Sequence, residues 1–369
     1  MKERITTLKK IVSLVFVLLI ARTAVSAFAF DDMPDDWSTQ ALQSAVNNGL
    51  LSGYDNKLHP KDNLTRAQMA TILVRALGAT ETADISAFTD VKTSSWYYSA
   101  MATSYKMQIF KGDGAGKLNP DNNITRQEAF VVLSRAFSLS STTTTGLAKF
   151  SDADEVASWA KEGIEALVVN GYVGGSNGKL NPNAYITRAE FAQVMYNLIK
   201  AYTENEIEVI GMSGINGNLI IRGHEINSLK NVVINGDLII GDGAPSNIKF
   251  ENVTVKGRLV IRAAGTFTFD GTADELVLTA DNSKAVISKD SSVSKVTVNS
   301  ATSSYEIEGA EDKDTSGTTG GNTGGGNTGG GNTGGGNTGG GNTGGGNTGG
   351  ETGGGNTETP EEDIWTEFH

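Results

Sequence analysis

Three times in its first two hundred residues the chain runs through one ordered set of landmarks, and that internal repeat constrains its fold more than any other feature. Phe30-Asp31-Asp32-Met33, Phe88-Thr89-Asp90-Val91 and Phe150-Ser151-Asp152-Ala153 open three units spaced 58 and 62 residues apart. Each continues with a tryptophan (Trp37, Trp96, Trp159) and then apolar residues at helical spacing, as in Trp37, Ala41, Ala45 or Trp159, Gly163, Leu167. The segment is expected to end at a glycine, Gly53, Gly112 or Gly175, before the loops Lys57-Leu58-His59-Pro60, Lys117-Leu118-Asn119-Pro120 and Lys179-Leu180-Asn181-Pro182. Five residues after each proline stands a Thr-Arg pair, from which a second amphipathic helix runs. A helix, loop, helix unit of this size cannot bury both apolar faces alone, whereas three together can form one helical domain. The expected units are 30–79, 88–137 and 150–203, joined by Thr- and Ser-rich linkers.

The starts of the second helices are Leu64-Thr65-Arg66-Ala67-Gln68, Ile124-Thr125-Arg126-Gln127-Glu128 and Ile186-Thr187-Arg188-Ala189-Glu190. Threonine followed three residues later by Gln or Glu is a capping box, which accounts for those positions without a ligand. The arginine is different. At the first helical position a cation is unfavourable by up to about 1 kcal/mol, yet it recurs in all three units. Two readings stay open on the residues alone: a guanidinium beside a helix N-terminus forming an anion socket, or a structural ion pair with Asp32, Asp90 or Asp152. Arg75 and Arg135 read as ordinary late-helix cations. The tryptophans admit the same two kinds of reading, a stacking platform for sugar rings or core, and their helical spacing favours core.

From residue 206 to 309 the period changes to short β-branched runs. Gly217-Asn218-Leu219-Ile220-Ile221, Gly236-Asp237-Leu238-Ile239-Ile240 and Gly257-Arg258-Leu259-Val260-Ile261 recur at 19 and 21 residues, with weaker echoes at Glu275-Leu276-Val277-Leu278 and Lys295-Val296-Thr297-Val298. A strand is also expected at Glu206-Ile207-Glu208-Val209. A repeat of this length made of short strands predicts a parallel β-helix of about five coils, roughly 25 Å tall at ~4.8 Å per coil. A β-sandwich is the alternative.

Residues 1–29 combine Lys2, Arg4, Lys9 and Lys10 with an apolar run and Ala27-Phe28-Ala29, the pattern of a secretory signal peptide. Although export favours disulfides, the chain has no cysteine, so its stability must come from packed cores. A formal charge of −12 disfavours nucleic acid and makes any anion recognition local. Residues 315–357 repeat Gly-Gly-Gly-Asn-Thr, a composition expected to be a disordered tether, and an acidic tail follows at 358–369. No membrane association is expected once the leader is removed.

These landmarks, three times in order, resemble the S-layer homology (SLH) motif. The resemblance covers nearly half the chain and implies a pseudo-threefold, all-α domain in a multidomain protein that also carries the all-β region. It implies a secreted protein of the cell wall or S-layer of a Gram-positive-type bacterium. Such a protein is held non-covalently by an anionic secondary cell-wall polysaccharide, pyruvylated forms included, with other surface-layer proteins as further partners. Carried over residue by residue, it puts Arg66, Arg126 and Arg188 on the ligand carboxylate. Trp37, Trp96, Trp159, Gly53, Gly112 and Gly175 would shape the grooves between motifs, with Asp32, Asp90 and Asp152 among the binding residues. The units depart from one another at Gln68 and at Met33 and Ala153 of the openings.

β-Helices also host polysaccharide lyases and hydrolases, so an enzyme is the competing class. Asp237, Asp242 and Asp270 are scattered at turns and no pair is forced to converge, so no catalytic activity is expected. Gly112-Asp113-Gly114-Ala115-Gly116-Lys117 lacks the Ser or Thr of a phosphate loop and reads as a turn. His59, His224 and His369 are far apart, and with no cysteine neither a transition metal nor another cofactor is expected.

Overall fold

A computed structural model of the chain describes residues 30–205 and 214–309. The leader, the strand expected at Glu206–Val209, the Gly/Asn/Thr tract and the acidic tail lie outside the described residues. Six α-helices occupy the first part: α1 (Thr39–Asn47), α2 (Arg66–Leu77), α3 (Tyr98–Lys106), α4 (Arg126–Ala136), α5 (Lys161–Val169) and α6 (Arg188–Leu198). All three capping boxes form. Thr65, Thr125 and Thr187 accept from the N–H of Gln68, Glu128 and Glu190, whose side chains accept in return from the threonine N–H.

The helices pair between units rather than within them. α2 packs on α3, α4 on α5, and α6 returns to α1, closing the ring. At its centre Leu64, Ile124 and Ile186, each fully buried, pass one hydrogen bond around a triangle. The N–H of Leu64 donates to Ile186 O (2.9 Å), that of Ile124 to Leu64 O (3.0 Å) and that of Ile186 to Ile124 O (3.1 Å). Such a ring needs all three units, which is the physical content of the threefold repeat.

Two expectations about the first helix of each unit are corrected. It starts after the tryptophan, because Trp37 and Trp96 sit in the preceding turns and Trp159 in a short 3₁₀ turn, Ser158–Ala160. It also ends well before Gly53, Gly112 or Gly175. The chain leaves the helical conformation at Gly49 (φ +67°), Gln108 (φ +60°) and Gly171 (φ +75°), and backbone bonds such as Leu50 N–H to Ala45 O (2.8 Å) close the helix end. The later glycines make room for an aromatic ring instead. A Cβ on Gly53, Gly112 or Gly175 would meet the ring of Phe30, Phe88 or Phe150 at 2.4–2.6 Å. The opening phenylalanine of each unit thus lies edge-on against its glycine. The polar linkers are tied down as well, with Ile85 fully buried in the core.

The second part is a solenoid whose strand pairing is parallel throughout: β1 (Ala201–Asn205), β2 (Leu219–Glu225), β3 (Ser228–Lys230), β4 (Val233–Ile234), β5 (Leu238–Ile240), β6 (Lys249–Ile261), β7 (Gly265–Leu278), β8 (Ser283–Ile287), β9 (Ser292–Val298) and β10 (Ser304–Ile307). That excludes the β-sandwich, whose sheets are antiparallel. One ladder aligns Ala201, Leu219, Leu238, Leu259, Leu276 and Val296. A second aligns Leu229, Phe250, Phe269, Ile287 and Ile307, so the repeat phrases read from the sequence are successive rungs. About five coils result. Gly236 and Gly257 sit where one coil presses on the previous one, since a Cβ on either would come within 2.6 Å of the rung before it. Between rungs run polar pairs such as Asn216–Asn235 and Asn231–Asn252, each 2.8 Å.

The solenoid is fused to the helical ring. In each strand of the first ladder the flanking residues point into the solenoid, while Ile220, Ile239, Val260 and Val277 point outward and join the helical core. β1 follows α6 after two residues, and Asn218 pins the junction by donating to Tyr172 Oη (2.9 Å) and Leu198 O (2.8 Å) while accepting from Asp237 N–H (2.8 Å). At the other edge Gly243 N–H donates to Leu77 O (3.1 Å).

Candidate functional site

The three arginines are buried, at 4, 8 and 6% exposure for Arg66, Arg126 and Arg188. Each reaches into the next unit of the ring. Nε of Arg66 donates to Leu118 O (2.9 Å), Nε of Arg126 to Leu180 O (2.7 Å) and Nε of Arg188 to Leu58 O (2.8 Å). The terminal nitrogens add bonds from Arg66 to Lys111 O (3.3 Å), from Arg188 to Ser52 O (2.8 Å) and from Arg126 to Glu190 Oε1 (2.8 Å). The helix N–H groups of the socket are engaged too: those of Arg66, Arg126 and Arg188 donate to Asn122, Ala184 and Asp62 carbonyls, and the following N–H to Pro120, Pro182 and Pro60.

The aspartates hold the other side of the same loops. Asp32 accepts from Leu58 and His59 N–H (2.7 and 2.8 Å), Asp90 from Leu118 and Asn119 (3.0 and 2.7 Å), and Asp152 from Leu180 and Asn181 (2.9 and 2.7 Å). Asp and Arg therefore do not pair directly; the leucine peptide stands between them, its N–H given to the aspartate and its C=O taken by the arginine. Burial pushes the carboxyls of Asp32 and Asp152 up, but the two loop N–H donors, helped by each residue's own N–H and by His59 or Lys179 nearby, hold both below the usual value. Burial likewise lowers Arg66 and Arg188 from the ordinary arginine value, opposed by Glu128, Asp113 and Asp90 around Arg66 and by Asp62, Tyr54 and Asp32 around Arg188. The idea that folding leaves the arginine unexplained is thus corrected: each helix-end cation is offset by carbonyls from the neighbouring unit, joined at Arg126 by Glu190, contacts invisible in a local reading.

The tryptophans part company. Trp37 and Trp96 are 61 and 67% exposed, the highest among the large apolar side chains of the described residues, and Trp96 meets Tyr97 edge-on at 5.4 Å. Trp159 is half-buried against the helical core. Lys57, Lys117 and Lys179 are exposed on their loops. In the glycine-rich turn, Asp113 accepts from Ala115 and Lys117 N–H (both 2.9 Å), a turn closed on itself.

Three segments, residues 29–70, 87–130 and 149–192, match the S-layer homology domain. The chain carries three S-layer homology domains. Relatives sharing this region include a surface-layer 125 kDa protein of Lysinibacillus sphaericus, 38% identical over 192 residues covering 50% of this chain and 16% of that protein. S-layer protein sap of Bacillus anthracis is 28% identical over 50% of this chain and 23% of its own length. Exoglucanase XynX of Acetivibrio thermocellus is 28% identical over 46% and 16% respectively. The chain thus spans less than a quarter of the length of these relatives, and the shared part accompanies both surface-layer proteins and an enzyme. In this S-layer homology protein two of the three candidate catalytic carboxylates of the solenoid are engaged, Asp237 with Arg258 and Asp242 with Arg262, both at 2.7 Å, while Asp270 is exposed.

Sequence reasoning missed Arg135. It is no plain late-helix cation but half-buried, desolvated enough to be lowered from its usual value, and part of the wall of a large cleft between α4, α5 and the solenoid. Nothing in its local sequence distinguishes it from Arg75.

Proposed function

We propose that the three S-layer homology domains hold this protein non-covalently on the cell wall by binding an anionic secondary cell-wall polysaccharide, pyruvylated forms included, and that the chain is not an enzyme. A secreted, wall-attached location is supported by the S-layer and cell-surface relatives. The observation that carries the binding reading is the exposure of Trp37 and Trp96, at equivalent positions on the ring. An indole left in water at a repeated position offers a sugar ring a stacking face and one polar handle. Arg66, Arg126 and Arg188 would act through the loops whose carbonyls they hold. Their engaged guanidiniums make the aromatic residues the better experimental target. The pairing of Asp237 and Asp242 with arginines supports a display role for that domain.

The test is co-sedimentation of the full chain with purified wall, before and after chemical removal of the secondary polysaccharide. The polysaccharide should be required, and Trp37→Ala with Trp96→Ala should weaken retention about tenfold or more, equivalent to ~1.4 kcal/mol. Unchanged retention in either comparison would sink the mechanism, and release of reducing ends from wall glycan would revive the enzyme.

A further inference from the structure

The cleft between the helical ring and the solenoid has a volume of about 730 Å³, within the ~300–1,000 Å³ typical of ligand sites. One wall is α4 and α5 with the turns around them, including Arg135, Trp159 and Glu162. The other is built from successive solenoid coils, including Asn282 and Asn299. Its width is set by the protein itself. Arg258 reaches from the solenoid to the backbone carbonyls of Phe137 and Ser138 at the end of α4, while Asp237 holds the same guanidinium from behind. A preformed cleft lowers the ordering cost of binding.

We propose that this cleft is a second saccharide site, formed only where ring and solenoid meet, and that it takes an uncharged oligosaccharide of hexose or N-acetylhexosamine units. Three observations point to that class. Five cationic and five anionic side chains line the cleft, and several neutralise one another, as Arg262 with Asp242 and Lys295 with Glu275 (2.8 Å), so no net charge selects an ionic ligand. The side chains of Glu162, Asn282 and Asn299 make no hydrogen bond to protein among the described residues, which leaves planar donors and acceptors for hydroxyl and acetamido groups. Trp159 supplies the aromatic surface. It differs from Trp37 and Trp96 in being half-buried and in lining a cleft whose opposite wall is the solenoid, so the third domain's tryptophan faces a composite site.

The experiment uses the full chain with Trp37→Phe, Trp96→Phe and Trp365→Phe, leaving Trp159 as the only indole, and follows its emission. Chitotetraose and cellotetraose are the uncharged probes, and tetragalacturonate is the anionic one. A saturable change with an uncharged tetrasaccharide is expected, weakened about tenfold or more by Asn282→Ala with Asn299→Ala. Both residues are exposed; because Asn282 holds φ +58°, where alanine is strained, the melting temperature of the double variant is measured beside its binding, and Asn299→Ala alone serves as the variant free of that backbone cost. No saturable change up to about 10 mM, a response confined to tetragalacturonate, or a response undiminished in the double variant would overturn the proposal. Wall retention through Trp37 and Trp96 is read in a separate assay, so either result can fail without the other.

Discussion

Replacing Arg126 by alanine separates a structural arginine from a ligand-binding one. The residue is 8% exposed, and its side chain donates to Leu180 O at 2.7 Å and Glu190 Oε1 at 2.8 Å and lies over the Phe130 ring with 5.4 Å to the centroid. Truncation strips a buried carbonyl of its partner, which costs ~1–3 kcal/mol. The lost ion pair adds about 1 kcal/mol, since Glu190 is 35% exposed and keeps access to water. The sum is about 2–4 kcal/mol, a fall in melting temperature on the order of 10 °C for a body of this size. Arg126→Lys should recover only part of it, because an ammonium cannot reproduce the two-directional fork. Urea and thermal unfolding of the full chain read both numbers, with wall retention measured well below the melting transition. A loss under about 0.5 kcal/mol together with abolished retention would refute the reasoning and return Arg126 to the role of anion receptor.

Gln108 occupies at φ +60° the helix-end position that Gly49 and Gly171 fill in the other units, so Gln108→Gly should stabilise by ~0.5–1 kcal/mol in denaturant unfolding. A Cβ on Gly243 would stand 1.9 Å from Gly78 O; Gly243→Val should undock the solenoid, and calorimetry should show two transitions in place of one. Asn218→Ala removes three hydrogen bonds at the same junction and should cost about 2–3 kcal/mol in urea unfolding. The carboxyls of Asp32 and Asp152 lie below the 3.8 of an unperturbed group. Their contribution is therefore complete above that value and lost as pH falls through the lower folded one. The stability gap between the parent chain and Asp152→Asn should accordingly close below about pH 4, as followed by thermal melts across pH.

Much of this architecture is legible in the residues. Capping boxes are local, so Thr65, Thr125 and Thr187 announce three helix starts, and rung phrases such as Gly236-Asp237-Leu238-Ile239-Ile240 announce parallel coils by their spacing. What misleads is anything whose partner lies in another unit. Trp37 and Trp159 continue a helical pattern on paper, but the helices begin after them, and the fold then leaves the first exposed and half-buries the second. Gly53, Gly112 and Gly175 look like helix stops, whereas their lack of a Cβ serves a phenylalanine more than twenty residues away.

By itself the amino-acid order determined three repeated helical units, a stack of short parallel strands and the boundary between them, because periodicity and capping are properties of neighbours in sequence. Only the tertiary structure decided what the repeated arginine does. Its partners, Leu118, Leu180 and Leu58, are 52, 54 and 130 residues away and meet it only when the ring closes. The same holds for Ile220, Ile239, Val260 and Val277. As β-branched residues they suit a strand, and nothing in that preference says that they also face a helical core, which exists only once both domains have folded against each other.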